Sequence, residues 1–153
     1  MRVGVTALRR GEIEYRLDAE AAGTRGGVWR QDRAGNAVAG PDGALQWPRL
    51  LRGELAPGAV ISGAMFVAGD PLARARLRGQ VVAVGPQGVA GRRFDVAVIE
   101  LFGDAQRGEA STRVDGALVV DRHSGVLLRL DLRSAHPGFA LQRHLVRVEA
   151  APH

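Results

Sequence analysis

Histidines 123, 136, 144 and 153 are the only imidazoles in the chain, and His123 stands two residues after Asp121. On a continuous strand that spacing would set two metal ligands on one face. The same residues also read as a turn, because Asp121 and Ser124 can hydrogen-bond a tight backbone and Gly125 can take φ > 0 without steric cost. The turn accounts for them without a metal, and none is assigned. A serine nucleophile would have to be Ser62, Ser111, Ser124 or Ser134. Ile61-Ser62-Gly63 lacks the G-x-S-x-G frame of a nucleophile elbow, and Ser134 near His136 reads as a strand end before Pro137. Asp95, Glu100, Asp115 and Asp121 could be paired for glycoside chemistry, but any sheet surface offers such pairs. The run Gly85 to Gly91 follows a strand and opens another strand, so it has no helix N-terminus to cradle phosphate and is expected to be a hairpin loop. The reading is a non-enzymatic protein with no cofactor.

Composition narrows the chemistry further. With no cysteine, disulfides, thiol nucleophiles and thiolate zinc sites are excluded. With no lysine, so are Schiff bases and the P-loop lysine; all 21 basic residues are arginines. The net charge of +5 raises an anionic partner, and Arg74, Arg76 and Arg78 alternate along one expected strand face. Sheet readers of single-stranded nucleic acid interleave basic residues with exposed aromatics, and no exposed aromatic is expected beside Arg74, Arg76, Arg78 or Arg129. That speaks against nucleic acid and leaves these arginines to pair with Asp131, Glu100 or Asp95 across strands. The longest uncharged run, Ala56 to Gly69, is too short to span a bilayer and holds Pro57, Gly58 and Gly63. Arginines at 2, 9 and 10 interrupt any signal-peptide core, which points to the cytoplasm unless an export signal has been removed ahead of Met1.

The elements that must position these residues are strands. Leu128, Leu130 and Leu132 alternate with Arg129, Asp131 and Arg133, and Thr112 to Asp121 supplies the other arm of a hairpin with a four- or five-residue loop. Gly116 in mid-strand marks a bulge or a close approach. Arg2 to Leu8 and Glu12 to Asp18 form another hairpin around Arg10-Gly11, and Val28 to Arg33 is a short strand bearing Trp29. Ala34 to Gly43 reads as turns. Leu45 to Leu55 reads as an irregular plug, and Ala59 to Val67 as a strand buried on both faces. Ala73 to Val84 and Arg92 to Phe102 are long strands, the second central; Gly103 to Ala110 is a connection. A last strand from Phe139 to Glu149, with a bulge near Leu145, follows the Pro137-Gly138 break. No stretch of ten residues has a helical period. The expected fold is therefore one all-β domain, 1–153, built on a curved antiparallel meander of about eight to ten strands, a half-barrel or barrel.

Two runs carry a resemblance. Gly88 to Glu100, G-V-A-G-R-R-F-D-V-A-V-I-E, and Val114 to Leu132, V-D-G-A-L-V-V-D-R-H-S-G-V-L-L-R-L-D-L, are similar to the latter half of uncharacterised bacterial envelope proteins. Those proteins have a curved half-barrel like that of periplasmic lipoprotein carriers. The resemblance covers about a third of the chain. It implies a periplasmic or cell-envelope protein with a concave apolar face for a lipid or lipidated partner, and it carries over no catalytic residue. The residues expected to line that face are Trp47, Val96, Val98, Leu118, Val120, Leu128 and Leu130. Without a long helix as a lid, the face is expected to be larger than local segments can cover. The other reading is an interaction or structural module that turns its arginine-bearing face to an acidic partner or an anionic membrane surface.

Overall fold

A computed structural model describes residues 2–9, 12–18, 27–136 and 139–144. They form two antiparallel sheets in which every strand pairs with its neighbour in sequence. The smaller sheet runs β1 (Arg2–Arg9), β2 (Glu12–Asp18), β3 (Gly27–Asp32), β4 (Ala37–Ala39). The larger runs β5 (Leu45–Gln46), β6 (Val60–Val67), β7 (Asp70–Val89), β8 (Arg92–Arg107), β9 (Ala110–Asp121), β10 (Leu127–Ser134), β11 (Leu141–His144) and curls into a half-barrel. The fold is all-β, as the period-two pattern requires.

The curl follows from the side chains on the inner face. Across four strands, Gly79, Leu101, Gly116 and Leu132 stand opposite one another in register, small alternating with large. A Cβ on Gly79 would sit 2.8 Å from Leu101 Cδ2, and one on Gly116 would overlap the carbonyl of Asp131. Leu101 therefore lies over Gly79, and at Gly116 the β10 backbone itself comes close, so the strands close up on that side. Gly116 is thus a close approach and not a bulge: the ladder keeps its step there and slips instead between Leu127 and Arg129.

The inner face is filled by residues 45–55. Trp47, Leu50 and Leu51 are fully buried and pack with Ile61, Met65, Leu77, Ile99, Leu118 and Leu130 in one core, joined by Phe139. The segment's first two residues pair with β6 as β5, the rest is irregular, as its sequence suggests, and Asn36 holds it. Leu51 N–H donates to Asn36 Oδ1 at 2.6 Å, and Asn36 Nδ2 donates to the Leu51 carbonyl at 2.8 Å. Asp32 fixes that amide by accepting from Asn36 Nδ2 at 3.0 Å and from the Asn36 backbone N–H at 2.9 Å. Trp47 Nε1 donates to the Gly35 carbonyl at 3.0 Å. Gly35 (φ 96°) and Gly125 (φ 76°) lie against each other, so the β3–β4 turn rests on the β9–β10 loop. A Cβ on Gly125 would overlap the Arg33 carbonyl, a steric demand for glycine in addition to its left-handed φ. Ile13, Trp29 and Ala44, with Ala68 and Val126, form a second cluster on the smaller sheet.

Several boundaries differ from those expected. Gly85 to Val89 is strand, not loop, and the turn is only Ala90-Gly91, both at positive φ (52° and 75°). Pro86 is tolerated because the β6 ladder on β7 ends at Gln80, leaving the far end of β7 an edge where a missing N–H breaks no ladder bond. Gly103 to Arg107 likewise continues β8, and Ala37 to Ala39 is a short strand inside the expected turn region. β6 is not buried on both faces, since Val60 is 73% exposed. The Arg10-Gly11 turn, residues 23–26, the Pro137-Gly138 break and residues 145–153 lie outside the described residues.

Asn36→Ala removes the partners of a buried N–H and a buried carbonyl, so we expect a loss of about 2–4 kcal/mol in urea unfolding. Ala90→Asn should raise stability by about 0.5–1 kcal/mol in the same assay, because Asn-Gly suits a two-residue turn with both φ positive and alanine does not.

Candidate interaction surface

The seven residues expected to line a concave apolar face do not come together. Trp47, Leu118, Val120 and Leu130 meet in the inner core, each 0% exposed. Val96 and Leu128 lie on the opposite face of the sheet with Val119, and Val98 and Phe94 pack against them. Register explains the split: Leu118 and Val120 stand opposite Ile99 and Ala97, while Val98 stands opposite Val119. Leu128 is the extra residue where the β9–β10 ladder slips, so it breaks step with Leu130 and Leu132. Nor is the concave side left open. Trp47, Leu50, Leu51, Leu55 and Phe139 cover it, and the expected shortage of lids is corrected by the chain's own plug.

The candidate chemical groups are engaged locally. Asp121 Oδ2 accepts from Ser124 N–H at 2.9 Å and from Ser124 Oγ at 2.6 Å, which builds the turn. Ser134 Oγ accepts from His136 N–H at 3.0 Å, as at a strand end. Asp95 lies 3.5 Å from Arg122 Nη1 and 3.4 Å from His123 Nε2, at the side of a cleft of about 460 Å³ that Arg33, Glu54 and Leu55 also line. Among the described residues, no group of three His, Asp or Glu is placed to hold a metal ion.

The outer face of β6, β7 and β8 is different. Arg74, Arg76 and Arg78 are exposed there, alternating with buried Ala73, Ala75, Leu77 and Gly79. Their register partners on β6 are Phe66, Ala64 and Ser62, and on β8 they are Gln106, Asp104 and Phe102. The Arg74 guanidinium stands over the Phe66 ring, 6.0 Å from its centroid, and Phe102 is 55% exposed beside Arg78. The expectation that no exposed aromatic neighbours these arginines is therefore corrected by Phe102, which, like the half-buried Phe66, comes from a strand whose register the sequence does not show. Cross-strand pairing is also only partly as expected. Arg129 pairs with Asp131 two residues along its own strand, Arg133 pairs across strands with Asp115 at 2.5 Å, and Asp95 serves Arg122. Among the described residues, no carboxylate lies within ion-pairing distance of Arg74, Arg76 or Arg78.

Apolar side chains gather on the same surface. Val60, Leu72, Val82 and Phe102 are four of the five large hydrophobics exposed among the described residues, and all four belong to β6, β7 or β8. Arginine and exposed aromatic or aliphatic side chains, both enriched in protein interfaces, thus share this face.

The register that separates these two faces can be measured. Ile99→Ala should cost about 2–4 kcal/mol in chemical unfolding, since Ile99 is fully buried in the inner core, and Val98→Ala under about 1.5 kcal/mol. Similar losses at both positions would contradict the register.

Compared with protein-family models, curated proteins and solved structures, the chain matches none.

Proposed function

We propose that this protein is a non-enzymatic interaction module whose arginine-bearing sheet face meets an anionic partner. The observation that carries the reading is the row Arg74, Arg76, Arg78 on the outer face of β7, without an ion-pair partner among the described residues. Some arginines elsewhere on the sheet do pair, Arg129 with Asp131, Arg133 with Asp115 and Arg107 with Asp70. A guanidinium presents a planar fork of donors suited to carboxylate or phosphate, and a row of three gives an anionic partner several points of attachment. A carrier of an apolar ligand on the concave face has less support. Its ligand would have to displace Trp47, Leu50 and Leu51 and break the Asn36 bonds to Leu51.

Binding of fluorescent polyglutamate, phosphatidylglycerol vesicles and oligothymidylate tests this between about 50 and 200 mM salt. At least one probe should bind saturably and weaken as salt rises. The triple variant Arg74→Gln, Arg76→Gln, Arg78→Gln should bind it at least about tenfold more weakly, with an unchanged circular dichroism spectrum. Equal binding by the variant, or no binding to any probe, would overturn the proposal.

A further inference from the structure

We infer that the partner is an acidic polypeptide segment bound in extended form, with carboxylates on alternate residues. The inference rests on the arginine-face reading above and names what that face recognises. Arg74, Arg76 and Arg78 stand at i, i+2 and i+4 of a strand, so their Cα atoms repeat at about 6.8 Å, and alternate residues of an extended peptide repeat at the same pitch. A peptide laid along β7 with Asp or Glu at every second position offers one carboxylate per guanidinium, in the geometry of paired N–H···O bonds.

The rows on either side shape this lane. On the β6 side, Arg76 and Arg78 face the short side chains of Ala64 and Ser62, with Phe66 and Val60 at the ends and no charge in the row. That makes a shallow floor bounded by larger apolar groups. On the β8 side, Glu100 and Asp104 are exposed. A flat anionic membrane would press charge against these carboxylates as well as against the arginines. A narrow chain over β6 and β7 avoids them and turns its intervening side chains away from the sheet. Successive bases of a single-stranded nucleic acid need a series of open aromatic faces. Here Arg74 already covers Phe66, and the exposed ring of this face, Phe102, lies on β8 beside the lane. A second copy meeting this face through a two-fold axis would bring like-charged rows together.

Two labelled octapeptides of identical composition and charge provide the test, one alternating Ser and Glu and the other with four Ser followed by four Glu; dT12 and phosphatidylglycerol vesicles are the comparison ligands. The alternating peptide should bind at least fivefold more tightly than the block peptide and more tightly than dT12 or the vesicles. The Arg74→Gln, Arg76→Gln, Arg78→Gln variant should lose that preference, and Arg129→Gln should keep it. Ser62→Tyr, which fills the lane without altering charge, should weaken the alternating peptide at least threefold and leave the block peptide unchanged. Equal affinity for the two peptides, or a preference for dT12 or vesicles, would overturn the inference; if the triple variant still loses that binding, the arginine-face proposal stands without it. Failure of every probe to bind would overturn both.

Discussion

The side-chain amide of Asn36 is the constraint on which the rest of the structure depends. It meets the backbone N–H and carbonyl of Leu51 as a neighbouring strand would, inside the core, where each of those groups would otherwise lack a partner. Through this contact the smaller sheet holds residues 45–55 against the inner face of the larger sheet. Trp47, Leu50 and Leu51 then pack into the concavity of the larger sheet, with Leu50 against Gly63 of β6. A curled sheet with so many small inner residues cannot fill its own concavity. Bulk supplied by an irregular segment, and a polar clamp to position it, solve that packing problem.

The two faces of the larger sheet consequently have different tasks. The inner face is satisfied by the chain itself and offers no free apolar surface at Trp47, Leu118, Val120 or Leu130. The outer face is covered only in part: Val96, Val119 and Leu128 are buried there, while the surface around Arg74, Arg76 and Arg78 is exposed. Its middle strands, β6 to β8, carry most of the large apolar side chains exposed among the described residues and the row Arg74, Arg76, Arg78, which has no ion-pair partner among those residues, while β9 and β10 carry the ion pairs Arg133–Asp115 and Arg129–Asp131. The row Arg74, Arg76, Arg78 thereby sits on continuous strand, where strand pitch holds side-chain spacing constant.

Legibility in the sequence followed the strength of local chemistry. The β9–β10 hairpin was readable because Asp121, Ser124 and Gly125 specify a turn and the leucines of β10 alternate cleanly with charges. The plug was readable as an interruption, since Trp47-Pro48 fits neither period. Register across β8 was not, because both its faces are apolar: Phe94, Val96 and Val98 on one side, Ala97, Ile99 and Leu101 on the other. Periodicity cannot choose between two such faces, and Val96 and Val98 were assigned to the wrong one. Strand length was hidden for a different reason. Pro86 and three glycines suggest a loop, but an edge strand accepts proline, and the sequence does not reveal where β6 stops pairing with β7. The lane beside Arg74, Arg76 and Arg78 was hidden in the same way, since Phe66, Ser62 and Phe102 reach it only through cross-strand register.

The chain-order topology of both sheets has a kinetic consequence. Every strand pairing joins segments adjacent in sequence, and apart from β5–β6, joined through residues 47–59, the connections are short, so the entropy lost at most steps is small compared with that of a sandwich assembled from distant strands. The exception is the seating of residues 45–55, which requires the β3–β4 turn, the β9–β10 loop and the curled sheet to be in place together. A meander of hairpins can thus grow by nearest-neighbour addition and still end in one cooperative closure, with the plug as the step that turns a string of local pairings into a single unit.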